Sequence, residues 1–291
     1  MLRKLPFVKM QGAGNDYVYI NCFEQDVPDP QALAPKISDR HFGVGSDGLV
    51  LVLPSTIADV RMRMFNADGS EAEMCGNASR CVAKFAYDHK LVDKTEIRLE
   101  TGAGIKTVKL QLKGSLVTGA TVDMGEPILD PPSIPAQFPD SPERIVHELI
   151  NIAGQEYAAT AVSMGNPHAV YFLENIAGLD LAAIGPAFEN HIWFPKRTNT
   201  EFVEVIDRQK IKMRVWERGA GETLACGTGA CAAVVASVLN KRTERKVKVD
   251  LLGGELVIDW DESTNHVFMT GSAATVFTGE YFLPQTQKHE D

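Results

Sequence analysis

Long apolar runs are missing from this 291-residue sequence. The most apolar stretch, Ala225 to Leu239, is shorter than the roughly 20 residues a membrane-spanning helix needs and carries Gly and Thr, so no membrane partner is expected. The opening residues MLRKLPFVKMQGAGND hold charge but neither an apolar core segment nor a small-residue cleavage site. That argues against a secretory leader and makes the cytoplasm the expected compartment. Positive charge is scarce as well. The 29 Lys and Arg against 38 Asp and Glu leave a net charge of -9, which disfavours the concentrated basic face that a nucleic acid or an anionic membrane would select. The cluster Lys241, Arg242, Arg245, Lys246 and Lys248 is short, is broken by Glu244, and reads as a solvated helix end and turn.

Cysteine is sparse too, with five residues at positions 22, 75, 81, 226 and 231. In a chain of this length and expected compartment they read as thiols, not as a disulfide framework. The pairs 75/81 and 226/231 lack the C-x2-C spacing of a structural zinc site, and no histidine pair stands beside them at ligand spacing, so no metal is expected. Phosphate-cradling loops are also lacking. Thr101-Gly-Ala-Gly104 and Gln11-Gly-Ala-Gly14 have neither the flanking elements nor the acidic follow-up of a dinucleotide fingerprint, and no cofactor is expected. A hydrophobic fraction of 44% and a charged fraction of 23% place the chain among globular proteins, and its length favours two domains.

What is present is an internal repeat. Arg61-Met-Arg-Met-Phe-Asn-Ala-Asp-Gly-Ser-Glu-Ala-Glu-Met-Cys75-Gly76 aligns without gaps on Lys212-Met-Arg-Val-Trp-Glu-Arg-Gly-Ala-Gly-Glu-Thr-Leu-Ala-Cys226-Gly227, an offset of 151 residues from Cys75 to Cys226. Met62/Met213, Arg63/Arg214, Glu71/Glu222, Cys75/Cys226 and Gly76/Gly227 are identities, and the same offset pairs Gly14-Asn15 with Gly165-Asn166. In each half an alternating apolar and charged segment predicts a strand, a Gly/Asp/Glu turn follows, and a small-residue-rich segment after Cys-Gly predicts a helix. The helix after Cys226 is apolar nearly all round and is expected to be buried. The expected fold is α+β, with two pseudo-symmetric domains, each a mostly antiparallel sheet wrapped around a central helix, and the active site in the cleft between them. The expected boundaries are 1–126 for the Cys75 repeat, completed by 276–291, and 127–275 for the Cys226 repeat, joined through the Pro-rich stretch Pro127 to Pro142.

A cysteine just before a helix sits among unpaired backbone N–H groups and the positive end of the helix dipole. This setting lowers a thiol pKa from about 8.5 toward neutrality and offers donors to a substrate carboxylate. Two such sites facing one another suit a stereoinversion in which one thiolate removes an α-proton and the other thiol delivers one to the opposite face. With each sulfur about 3–3.5 Å from the carbon, the two would lie roughly 7 Å apart. Cys22, Cys81 and Cys231 have no equivalent partners at this offset and read as structural.

The motifs Gly12-Ala-Gly-Asn15-Asp16, Phe65-Asn66-Ala-Asp-Gly-Ser, Cys75-Gly76-Asn77, Met164-Gly-Asn166-Pro-His168, Arg197-Thr-Asn199, Trp216-Glu217-Arg218-Gly-Ala-Gly-Glu-Thr and Ala225-Cys226-Gly227-Thr228-Gly229 resemble those of diaminopimelate epimerases. Through nearly the whole chain the resemblance implies a cofactor-independent isomerase that interconverts LL- and meso-diaminopimelate for lysine and peptidoglycan synthesis. It implies that Cys75 and Cys226 are the acid/base pair and that Gly76, Asn77, Gly227 and Thr228 hold the carboxylate at the reacting centre. Asn15, Asn66, Asn166, Asn199, Glu217 and Arg218 would recognise the amino and carboxylate groups, and His168 and Glu217 would also tune the thiols. A small-molecule substrate and a homodimer are family expectations. Gly48 stands where some members carry a glutamine contact, and Ala78-Ser79 replaces a commoner Gly-plus-small pattern. Two other readings share the cysteines: a proline-type racemase of the same fold, acting on one carboxylate, and a non-enzymatic thiol redox sensor.

Overall fold

A computed structural model describes residues 3–139 and 142–283. The chain forms two compact units, one of Met1–Ala120 with Ser272–Asp291 and the other of Thr121–Gly271. Of the C-terminal segment expected to complete the first half, residues 284–291 lie outside the described residues.

The first unit runs β1 (Arg3–Gly12), β2 (Asn15–Asn21), α1 (Pro30–Ser38), β3 (Gly48–Leu53), β4 (Val60–Asn66), β5 (Glu71–Ala72), α2 (Gly76–Asp88), β6 (Glu96–Thr101), β7 (Gly104–Lys113) and β8 (Leu116–Asp123), with the division between units falling inside β8. The second runs β9 (Glu148–Ile152), β10 (Gln155–Ser163), β11 (Pro167–Phe172), α3 (Leu181–Glu189), β12 (Asn199–Asp207), β13 (Lys210–Glu217), β14 (Gly221–Thr223), α4 (Gly227–Leu239), β15 (Lys246–Leu251), β16 (Gly254–Trp260) and β17 (Val267–Ser272). The chain then returns to the first unit as β18 (Ala274–Leu283), antiparallel to β1. The architecture is α+β, and the sheets are mostly antiparallel. The parallel pairs β2–β3 and β4–β6 in the first unit recur as β11–β12 and β13–β15 in the second.

The repeat extends well beyond the segment that revealed it. Helices α1 and α3 start 151 residues apart at Pro30 and Leu181, and α2 and α4 start 151 apart at Gly76 and Gly227. Asp29 caps α1 by accepting from Ala32 N at 3.0 Å, and Asp180 caps α3 by accepting from Ala183 N at 3.2 Å. Each of these short helices carries an interior proline, Pro35 and Pro186. α4 is buried from Gly229 through Ser237 and packs against β10 to β13 and β16, as its continuous apolar surface requires. α2 is buried from Gly76 through Ala86 although it contains Arg80 and Lys84, because both cations find oxygen partners inside the unit. Arg80 Nε donates to Ser272 O at 3.1 Å, and Lys84 Nζ pairs with Asp88 at 2.7 Å.

The identities Arg63/Arg214 and Glu71/Glu222 form the same clamp twice. Arg63 Nε and Nη2 donate to the two oxygens of Glu71 at 2.7 and 2.9 Å, and Arg214 does the same to Glu222 at 2.7 and 3.0 Å. Each two-pronged pair closes the hairpin leading into a cysteine. Among the described residues no helix is long and apolar enough to cross a membrane.

Gly48 explains itself sterically. A Cβ there would lie 2.1 Å from the carbonyl oxygen of Phe65 on the paired strand, so no side chain of any kind fits. Gly48→Ala is therefore expected to cost about 1–3 kcal/mol. Thermal melting checks this, with a midpoint lowered by roughly 2–4 °C per kcal/mol.

Candidate functional site

In both units a clamped hairpin delivers a cysteine to the residue before a helix. Cys75 precedes α2 with φ/ψ of -137/122°, and Cys226 precedes α4 with -111/111°. Neither side chain caps its helix by a hydrogen bond, unlike Asp29 and Asp180 on the other two helices. At α2 the first-turn N–H groups are thus left without a side-chain cap, while at α4 the Gly229 N–H is turned toward the Cys226 sulfur. All five cysteines are thiols, with no disulfide.

Around Cys75, the thiol donates to Asn15 Oδ1 at 3.3 Å, and Asn15 Nδ2 donates to Asp47 Oδ2 at 2.8 Å. Asp47 also accepts from Asp16 N at 3.0 Å and from Arg40 Nη2 at 2.9 Å, and Arg40 reaches Asp16 Oδ1 at 2.8 Å. Lys9, nearly buried, completes this network at 2.5 Å from Asp16 Oδ2. Burial pushes the Asp16 carboxyl up, but hydrogen bonds from Arg40 and Lys9 hold it below its usual range. Asn77 is buried, and its Oδ1 accepts from Arg80 Nη2 at 2.9 Å, so its side chain braces the helix start while its backbone lies in the first turn. Asn66 Nδ2 donates to Ser70 Oγ at 3.0 Å across the turn after β4.

Around Cys226 the environment is drier and more acidic. Its sulfur lies 3.5 Å from Thr228 Oγ1. Glu217 accepts the hydroxyl of Thr223. Asn199 donates to Pro167 O at 2.9 Å and accepts from the Arg218 backbone N–H at 2.9 Å, tying the start of β11 to the turn after β13. The Arg218 guanidinium is exposed and donates to Lys196 O at 3.2 Å. His168 is fully buried, with Nδ1 2.7 Å from Glu201 Oε1 and Nε2 3.0 Å from Asn166 Oδ1.

The structure reverses one expectation. A helix start alone predicts a lowered thiol pKa, yet burial first, and then the carboxylates of Glu217 and Glu201, push Cys226 well above the ordinary thiol range. Hydrogen bonds from Thr228 and the Gly229 N–H oppose this and are outweighed. The upward direction favours the thiol over the thiolate at Cys226. Burial also raises Cys22 and Cys81, both to about 11, in keeping with structural roles.

Sequence reasoning missed Glu201 and the Lys9, Asp16, Arg40 and Asp47 network. Glu201 is fully buried, and burial followed by the charge of Glu217 raises its carboxyl, with His168 opposing. It occupies the repeat position of Val50, so the repeat gave no signal for it; a carboxylate in an otherwise apolar strand was the available one.

The family model described as diaminopimelate epimerase matches residues 7–129 and 160–276, which include both cysteines. A diaminopimelate epimerase of Desulfovibrio desulfuricans is 62% identical over 283 residues, covering 96% of this chain and 99% of that protein. One of Agathobacter rectalis is 57% identical, covering 95% and 99%, and one of Methanococcus maripaludis is 55% identical, covering 95% and 99%. Among solved structures, a probable proline racemase from Agrobacterium radiobacter superposes with a TM-score of 0.70 at 13% identity, covering 98% of this chain and 94% of that one. A phenazine biosynthesis protein of the PhzF family from Bacillus anthracis gives 0.67 at 16% identity, covering 97% and 100%. At these identities the likeness is one of fold.

Cys226 should be alkylated by iodoacetamide more slowly than the half-buried Cys75 at neutral pH, because the thiolate is the reacting species. Glu217→Gln removes a carboxylate that raises the Cys226 pKa and should speed its modification. Peptide mapping by mass spectrometry reads both rates.

Proposed function

Since the chain belongs to the diaminopimelate epimerase family, we propose that it interconverts LL- and meso-2,6-diaminopimelate in the cytoplasm, without a cofactor, in the synthesis of lysine and peptidoglycan precursors. The observation that carries this reading is the pair of uncapped cysteine helix starts at equivalent positions of the two repeats. One sulfur serves each face of the α-carbon. In the direction that begins with Cys75 as base, Cys226 is already the protonated partner that delivers hydrogen to the far face. In the reverse direction Cys226 must lose its proton. A substrate ammonium against Glu217 would neutralise one of the charges that hold the proton there.

The difficult step is removal of a weakly acidic α-proton without a Schiff base to spread the carbanion's charge. The first-turn N–H groups of α2 and α4, offered to the adjacent carboxylate, supply fixed dipoles that need no reorganisation as charge develops. Thr228 stands beside the Cys226 sulfur, within reach of the same carboxylate. At the distal centre Arg218 provides an always-charged fork for the second carboxylate, and Asn66, Asn166 and Glu217 supply the mixed donors and acceptors that an amino acid head group requires.

Incubation of the reduced protein with LL-diaminopimelate in deuterium oxide is expected to place deuterium at the α-carbon and to produce the meso isomer, read by NMR. Cys75→Ala and Cys226→Ala should each slow epimerisation by about 10²–10⁴-fold. Absence of exchange in the reduced wild type would overturn the reading, and racemisation of proline in place of diaminopimelate would redirect it to a single-carboxylate racemase.

A further inference from the structure

We propose that Glu201 is a positioning residue: through His168 it fixes the side-chain amide of Asn166 with its carbonyl turned inward and its NH2 turned outward as a donor. The inference rests on the epimerase reading for its substrate, but its geometry lies wholly within the second unit.

His168 and Glu201 side chains are both at 0% exposure and 2.7 Å apart. A pair with net charge in such a place pays a large desolvation cost, so the neutral pair is the stable one. Neutrality leaves two protons for Nε2, Nδ1 and the two carboxyl oxygens, and Oε2 is buried with no partner to receive an O–H, so a carboxyl proton belongs on Oε1. One proton is shared along the Nδ1···Oε1 contact, as imidazolium with carboxylate or as imidazole with carboxylic acid. In both forms the other stays on Nε2. Nε2 is then a donor, and the group it faces at 3.0 Å is Asn166 Oδ1. The amide of Asn166 is thereby oriented. Its Nδ2 has no partner among the described residues and points a donor pair away from the ring.

The equivalent asparagine is held the opposite way. Asn15, 151 residues earlier, gives Nδ2 to Asp47, a carboxylate surrounded by donors, and so presents Oδ1 as an acceptor. The repeat thus holds its two equivalent amides in opposite senses: the Asn15 carbonyl takes the Cys75 thiol, while the Asn166 NH2 is left to donate. Tyr17 stands at the position of His168 and Val50 at that of Glu201, so the second unit has acquired a device the first lacks.

Gly229 shows that room is reserved for Glu201. A Cβ at Gly229 would lie 2.7 Å from Glu201 Oε1 and 3.3 Å from Cys226 Sγ. Carboxyl and thiol are therefore no more than 6.0 Å from each other, the sum of those two distances. An unpaired carboxylate there would oppose formation of the Cys226 thiolate, so the proton shared with His168 also spares the site a full negative charge.

Nitrogen-15 NMR of histidine-labelled protein, with His168 assigned by its loss in His168→Asn, is expected to show a protonated Nε2. A wild-type His168 with bare Nε2 would overturn the proposal, whether or not diaminopimelate is the substrate. Glu201→Gln keeps the shape but no longer requires a proton on Nε2. It should raise KM for diaminopimelate on the order of tenfold, with a smaller fall in kcat and an unchanged melting temperature. An unchanged KM in a Glu201→Gln protein whose His168 Nε2 is shown by the same NMR to be bare would equally defeat it. A purely structural Glu201 predicts instead a change in melting temperature with KM intact. Failure of the wild type to exchange α-protons would count against the epimerase reading alone.

Discussion

Two helices of this protein begin without a capping side chain, and the rest of the fold is arranged around that omission. Asp29 and Asp180 satisfy the first turns of α1 and α3 from within. At α2 and α4 the capping position is given to cysteine, whose sulfur replaces the capping oxygen with no more than the weak approach of the Gly229 N–H to Cys226. The N–H groups left over have a helix-stabilising value of their own that is forgone, since an ordinary cap contributes about 1 kcal/mol. The arginine–glutamate clamps, the glycines that follow the cysteines and the burial of both helices all hold this uncapped start in place for a ligand anion to complete.

The repeat made much of this legible. An alternating segment, a turn, a cysteine and an apolar helix recur at one offset, and the strands and helices appear where that pattern puts them. Helices α1 and α3 were not foreseen; each is only nine residues long and contains a proline, Pro35 or Pro186, which interrupts a helical pattern. The raised Cys226 thiol was not legible either. A local argument sees the helix start, whereas burial and the carboxylates of Glu217 and Glu201 come from β12, β13 and the packing of the unit. The side chain of Asn77 is taken up by the Arg80 guanidinium and that of Asn199 by backbone groups of Pro167 and Arg218, a distinction that spacing alone does not carry.

Duplication supplied the scaffold, and divergence supplied the chemistry. Gly48 corresponds to Asn199, Asn66 to Glu217, Tyr17 to His168 and Val50 to Glu201. The first unit surrounds its asparagine with an ionic network that reaches solvent through Arg40, and the second surrounds its own with a buried neutral pair. Similar backbones therefore present a sulfur in unlike electrostatic settings. An enzyme whose two thiols exchange the roles of acid and base has reason to keep the frame symmetric and the surroundings distinct.

The return of the chain in β18 bears on how the protein is made. β1 pairs with β18 through contacts such as Lys4 with Glu280, 276 residues apart in sequence, and Arg80 in α2 is bonded to the carbonyl of Ser272. The second unit is contiguous and holds all its strand partners by the end of β17. The first must wait, with β1 paired to β2 alone, until β18 has followed the whole of the second unit. Contacts of such long separation form slowly, and an unpaired strand edge meanwhile invites aggregation. The half made first is thus the half finished last, and truncation of the C-terminal strand would strike the Cys75 unit and spare the fold of the other.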